Sequence, residues 1–258
     1  MSGLRTPLVG LLLVVALAAC DRAPAAKLPA IAGIQAGIAA ADMSPEHYFR
    51  DRYAPEEPRY WTRIAGWIVE DSIVRNYARR RPATAILDIG CGYGTLLSWA
   101  ADVHGAPGIC MDVVPYLQPQ VMARHRLRFA AGNVEKDPLP PGRFDVVLMT
   151  EVLEHLNFQP VPTLRKIRAA LADGGAFFLS TPDAGGGWGR TRKYYPSLSA
   201  IPPLDPAARW IDGHIWQYDE DELRGVMREA GFEILRLERS DGPQGKHMNV
   251  WAVPAPGG

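Results

Sequence analysis

From residue 85 onward, short unbroken apolar runs alternate with longer stretches whose apolar residues recur at helical spacing. Ala85-Ile86-Leu87-Asp88-Ile89, closed by Gly90, has the pattern of a strand buried on both faces. Similar runs at 108–111, 127–131, 144–149 and 176–180 predict four more strands. Helical spacing predicts helices over 95–103, 114–124 and 161–171, and another from Asp219 to Ala230 with Gly231 as its C-terminal cap. Upstream, Ile64, Trp67, Ile68, Ile73, Val74 and Tyr77 place a helix over 59–80, stopped by Pro82. This alternation predicts an α/β fold with a doubly wound, mostly parallel sheet and right-handed crossovers. Runs at 232–237 and 248–253 complete seven strands, and their link is too short for a helical crossover, so the last strand should run antiparallel. The stretch between Asp183 and His214 is rich in Gly, Pro and aromatic residues and lacks periodicity. A loop of that length is uncommon unless it covers a site, so 183–218 is read as a substrate lid.

Composition narrows the class. A chain of 258 residues with 47% hydrophobic and 22% charged residues fits one folded domain with additions rather than a disordered or multi-span protein. The formal net charge of zero gives no general reason to expect nucleic acid as a partner, and the short basic runs at 79–81, 124–128 and 190–193 read as solvated faces. The cysteines at 20, 91 and 110 have neither zinc-site spacing nor an even count, so Cys91 and Cys110 are expected to be packing residues.

The N-terminus follows a different pattern. Arg5 precedes an apolar stretch from Leu8 to Ala19, too short to span a bilayer but suited to a signal-peptide core. Its end, Leu17-Ala18-Ala19-Cys20, resembles the lipobox of bacterial lipoproteins, which implies removal of 1–19, lipidation at Cys20 and membrane attachment through that residue. Residues 20–42 are Ala- and Pro-rich, as a tether would be, and the folded domain is placed at 43–258 with its core at 84–253. Three localisations stay open: a lipid anchor on the bacterial membrane, retention at the inner face, and a cytoplasmic protein whose translation starts at Met43.

The candidate chemistry begins where the first strand ends. Gly90-Cys91-Gly92-Tyr93-Gly94 lets the backbone turn sharply and a ligand approach without a Cβ in the way. In the dinucleotide fingerprint the third glycine stands three places after the second. Here that place is Thr95 and the glycine is Gly94, which shifts the balance from NAD toward S-adenosylmethionine, a nucleoside without a pyrophosphate. Asp112 ends the second strand, placed to accept from two ribose hydroxyls. After the third strand, the Asn133 side chain is suited to accept from an adenine amino group, while the Val134 N–H meets a ring nitrogen.

Together, 86–94, Asp112, the Asn133 turn, Phe144-Asp145, 151–156, 171–175, Thr181-Pro182 and Gly231-Phe232 resemble the class I S-adenosylmethionine-dependent methyltransferases, nearest the small-molecule branch that includes ubiquinone-biosynthesis enzymes. The resemblance spans about 84 to 253. It implies a Rossmann-like fold, S-adenosylmethionine as cofactor and a small-molecule acceptor. It also implies that Asp88 and the glycine loop (Gly90, Cys91, Gly92, Gly94) face the amino-acid end of the cofactor, Asp112 the ribose, and Asn133 with Val134 the adenine. Val113 and Thr150, at the ends of neighbouring strands, join the candidate cofactor contacts. Asn133 departs from the Asp more usual in the family, and an amide keeps the needed acceptor.

The segment Glu151-Val152-Leu153-Glu154-His155 allows two readings. At helical spacing Glu151, Glu154 and His155 can face one side of a helix beginning at the cleft. In the metal-free reading the segment lines the acceptor pocket, with Glu151 and His155 as catalytic candidates and His155 as general base. In the other, a family of RNA 2′-O-methyltransferases has a similar run holding a divalent metal, and His214 supplies a fourth ligand beside Glu151, Glu154 and His155. A third expectation, from the leader, is a lipid-anchored protein that binds the cofactor without catalysis.

Overall fold

The computed structural model describes residues 60–77, 83–242 and 244–256. The leader, Cys20, the tether and Met43 lie outside these residues.

The run Ile86–Ile89 forms β1, and all four residues are buried. A strand with no polar face belongs in the middle of a covered sheet, and β1 sits between β2 (Gly108–Asp112) and β4 (Phe144–Thr150), parallel to both. β3 (Leu127–Ala131) flanks β2, and its partly exposed pattern suits an edge. β5 (Leu171–Pro182) lies parallel to β4. β6 (Phe232–Asp241) and β7 (Lys246–Pro254) form a hairpin whose second strand inserts antiparallel between β5 and β6. The described residues thus make one seven-stranded sheet in the order β3-β2-β1-β4-β5-β7-β6, with β7 alone running against the others. The doubly wound sheet with an antiparallel last strand is as the apolar pattern predicts.

Alternating strand residues feed two cores. On one face Ile86, Val146, Leu148 and Phe178 pack with α1 (Tyr60–Tyr77), α2 (Thr95–His104) and α3 (Pro119–His125). On the other, Leu87, Val147, Met149 and Phe177 meet α4 (Pro160–Ala170) and α5 (Glu220–Glu229). The last helix is set by a capping box: the Asp219 side chain accepts from Glu222 N at 2.9 Å, and the Glu222 side chain accepts from Asp219 N at 3.2 Å. Gly231 follows at φ 83°.

Three expectations change. The helix predicted over 114–124 starts only at Pro119, because Pro115 breaks the pattern and the Asp112 carboxylate accepts from Val114 N at 3.1 Å, holding the chain in a turn. The segment after β4 is not an α-helix. Glu151 has φ 56°, and only a single 3₁₀ turn, Leu153–His155, follows before α4. Glu154 therefore does not share a helical face with Glu151; its side chain is fully buried in the core and accepts from Thr181 Oγ1 at 2.9 Å. Cys91 and Cys110 are not separate packing residues but a disulfide, with Cα atoms 5.5 Å apart.

The 183–218 insertion holds a short turn at Ala184–Trp188 and a 3₁₀ turn at Leu198–Ala200. Its far end is anchored where the N–H groups of Ile215 and Trp216 both donate to the Glu154 carbonyl, at 2.7 and 3.2 Å. Asn157 pins the middle, exchanging hydrogen bonds with the Ile211 backbone at 2.7 and 3.0 Å.

Candidate functional site

Strand order reverses on either side of β1, so the crossovers from β1 and β4 leave in opposite directions and open a crevice at the strand ends. Gly90 turns away from β1 at φ 72°, with its N–H donating to the Met111 carbonyl at 2.8 Å. A Cβ there would lie 2.3 Å from Val152 Cγ2, so a side chain is excluded. Gly92 follows at φ 52°, and its N–H donates to Asp112 Oδ2 at 3.0 Å. With Val114 N on Oδ1, backbone donors aim the Asp112 carboxylate from both sides. The Cys91–Cys110 disulfide ties the same loop to β2. Beneath it Asp88 is 2% exposed, and its Oδ1 lacks a hydrogen-bond partner among the described residues. Burial, reinforced by the charge of Asp112, pushes the Asp88 carboxyl up to about 8.

A cleft of about 300 Å³ opens here. Of the residues singled out from sequence, Gly90, Asp112, Val113, Asn133, Val134, Glu151 and His155 line it. Asp88, Cys91, Gly92, Gly94 and Thr150 are not among the residues that line it. Gly94 serves as N-cap of α2 at φ 78°, where a Cβ would strike Leu117. Asn133 Oδ1 already accepts from the N–H groups of Glu135 and Lys136, at 2.8 and 3.3 Å, so the side chain shapes its own turn as well as facing the cleft.

The opposite wall comes from the end of β4. Glu151 N donates to the Ser180 carbonyl at 3.0 Å, Ser180 Oγ donates to Glu151 Oε1 at 2.7 Å, and His247 Nδ1 stands 2.8 Å from Oε2. The His155 ring meets His214 edge-on at 4.8 Å, with Asp212 at 4.0 Å and Glu154 Oε1 at 3.8 Å. Burial first, and His214 next, hold the His155 imidazole below the usual histidine range, so it is neutral at pH 7. Burial likewise lowers His214 and, with the charge of Glu151, raises Glu154 well above the carboxylate range.

Ligand atoms of Glu154, His155 and His214 fall within 4.8 Å of one another, whereas the Glu151 carboxylate turns to Ser180 and His247. The expected four-ligand metal set therefore does not converge. Reading the sequence missed Tyr116, Trp210 and Asp212 in the cleft wall, because two of them sit in an insertion without periodicity. It also missed His247, whose signal was a histidine and Asn249 inside an otherwise apolar final strand.

Comparisons with known proteins find relatives and similar folds. A family profile described as a methyltransferase domain matches residues 58–237. Acetylserotonin O-methyltransferase of Mus musculus is 32% identical over 179 residues, covering 63% of this chain and 42% of the mouse protein. Ubiquinone biosynthesis O-methyltransferase of Xanthomonas campestris is 34% identical over 110 residues, 39% of this chain and 44% of that one. The chain thus spans less than half the length of these relatives. Among solved structures, the Burkholderia thailandensis 1,6-didemethyltoxoflavin-N1-methyltransferase, with bound 1,6-didemethyltoxoflavin and S-adenosylhomocysteine, superposes with a TM-score of 0.53 at 23% identity, covering 90% of this chain and 92% of that one.

Proposed function

This chain belongs to the methyltransferase-domain family, and from that premise we propose that it transfers a methyl group from S-adenosylmethionine to a small-molecule acceptor. One observation carries the reading: the glycine turn and Asp112 form one wall of the cleft whose other wall holds Glu151 and His155. The residues fit the cofactor. Asp88 offers a buried, unpartnered carboxyl oxygen beneath the loop, suited to a cationic amino group, and the aimed Asp112 carboxylate suits ribose hydroxyls. Asn133 and Val134, which also line the cleft, are the proposed adenine contacts.

Bound there, S-adenosylmethionine supplies a methyl group already activated by its sulfonium charge. The protein's remaining tasks are to align a nucleophile and exclude water. His155, neutral and in contact with the cleft, takes the proton of an acceptor hydroxyl, and Glu151 stabilises the imidazolium that forms. Trp210 and Tyr116 give the mouth aromatic surface. That surface, with the relatives named as acetylserotonin O-methyltransferase and ubiquinone biosynthesis O-methyltransferase, makes an aromatic hydroxyl compound the acceptor class we propose. No step calls on a metal, and turnover is expected to be unchanged by EDTA.

The test is release of S-adenosylhomocysteine from the full chain incubated with S-adenosylmethionine and a panel of catechols, hydroxyindoles and hydroxyquinols. Acceptor-dependent release from one of these is expected, and His155→Ala should reduce it by roughly a hundredfold or more. Release with none of them, while the cofactor binds, would contradict the acceptor class. Unchanged release in the variant would remove His155 from its role.

A further inference from the structure

In a parallel sheet the chemistry gathers at the carboxyl ends of the strands. β7 runs the other way, so its beginning, not its end, arrives at that edge. His247 is its second residue, opposite Pro182 at the end of β5. The side chain is 3% exposed, with Nδ1 2.8 Å from Glu151 Oε2. The ring is held on both sides. Trp188 meets it edge-on at 5.3 Å while also lying 5.5 Å from His214, and a Cβ on Gly242 would come within 2.3 Å of His247 Nε2.

Its neighbour is strained. Glu151 holds φ 56°, a left-handed conformation that glycine takes freely and glutamate seldom does. Such a backbone persists at a site only where the surroundings over-determine it. Here three contacts do so: the Ser180 carbonyl on its N–H, the Ser180 hydroxyl on Oε1 and His247 on Oε2. Two of the three come from β5. The third crosses from a strand nearly 100 positions later in sequence.

We propose that His247 is the positioning residue for Glu151. It binds the carboxylate on the acceptor side of the cleft and fixes its direction, so that the strained turn presents one orientation to the acceptor and to His155. This rests on the reading of Glu151 as an acceptor-side group. It also gives the antiparallel strand a role in the site, since only a strand of that direction brings its first residues to this edge. Trp188 covers the His247 ring and also meets His214, so the insertion shields the pair from solvent.

Two substitutions separate positioning from packing. His247→Asn keeps an N–H near the place of Nδ1, whereas His247→Leu keeps the volume and removes the polar atom. Crystal structures of both variants of the full chain should show Glu151 retaining its positive φ and its Ser180 bond in the asparagine protein and leaving them in the leucine protein. With the acceptor found by the panel, kcat should fall roughly a hundredfold in His247→Leu and recover to within about threefold of the parent in His247→Asn, while the KM for S-adenosylmethionine stays within about twofold in both. If the leucine protein keeps Glu151 in place, or turns over as fast as the asparagine protein, the proposal is overturned. Should the parent chain bind no S-adenosylmethionine, the proposed function fails instead, and the Glu151 conformation still decides the role of His247.

Discussion

Asp88 concentrates the residue-scale argument. Its carboxyl, pushed up to about 8 by burial and then by Asp112, carries a proton at neutral pH while the cleft is empty. A cationic amino group beside Oδ1 favours the carboxylate, so cofactor binding at pH 7 should release a proton. Calorimetry in two buffers of different ionisation enthalpy should give different apparent enthalpies for the parent protein and equal ones for Asp88→Asn; equal values for both would refute the placement. The same shift acts on stability. Because the folded pKa lies above the ordinary value of 3.8, its contribution is complete below that value and is lost as pH rises through about 8. Between those limits the parent should lose stability relative to Asp88→Asn by at most about 1.4 kcal/mol per pH unit, read from denaturant midpoints. Much at this scale was legible in sequence: Gly90, Asp112 and His155 all line the cleft. What was not legible needed a third dimension. The Cys91–Cys110 bond joins a loop to a strand 19 positions away, and His247 reaches Glu151 only through the β5–β7 register.

Elements were read best where a single periodicity ruled. The buried strands have one apolar rule, and their positions agree with the sequence to within a few residues, β5 excepted, which begins five residues early, at Leu171. Reading failed where a local bond overrode the pattern, as when Asp112 bonding to Val114 delayed α3, or when Glu151 took a left-handed conformation and cancelled the helix its spacing suggested. His104 closes α2 against α1, with Nε2 3.7 Å from Asp71 Oδ2, and burial first and Arg75 next lower its pKa to about 4. Since that lies below the ordinary value of 6.5, its contribution is present above 6.5 and lost as pH falls through about 4. His104→Gln should flatten the fall in denaturant midpoint over that window, and an unaltered slope would contradict the assignment. At α5, Asp219→Ala removes the capping box and should cost about 1 kcal/mol of unfolding free energy, with loss of no more than a few tenths counting against it.

For the whole molecule, the disulfide between the glycine loop and β2 joins cysteines 19 positions apart, and reduction should lower stability by about 2–4 kcal/mol. A melting temperature unmoved by reductant would mean that the bond carries no such constraint. We propose that residues 1–19 are removed and that the native protein begins at a lipidated Cys20; intact mass spectrometry of the native protein would show this, whereas a chain starting at Met43 would exclude it. In the proposed function the two walls of one cleft are a nucleoside-sulfonium cradle and an acceptor site. Its most direct test is calorimetric titration of the full chain with S-adenosylmethionine and, separately, with NAD. Saturable one-site binding of S-adenosylmethionine, weakened at least about tenfold by Asp112→Ala, is expected, with no binding of NAD. Binding of NAD without S-adenosylmethionine, or an Asp112→Ala protein that holds S-adenosylmethionine as tightly as its parent, would contradict it.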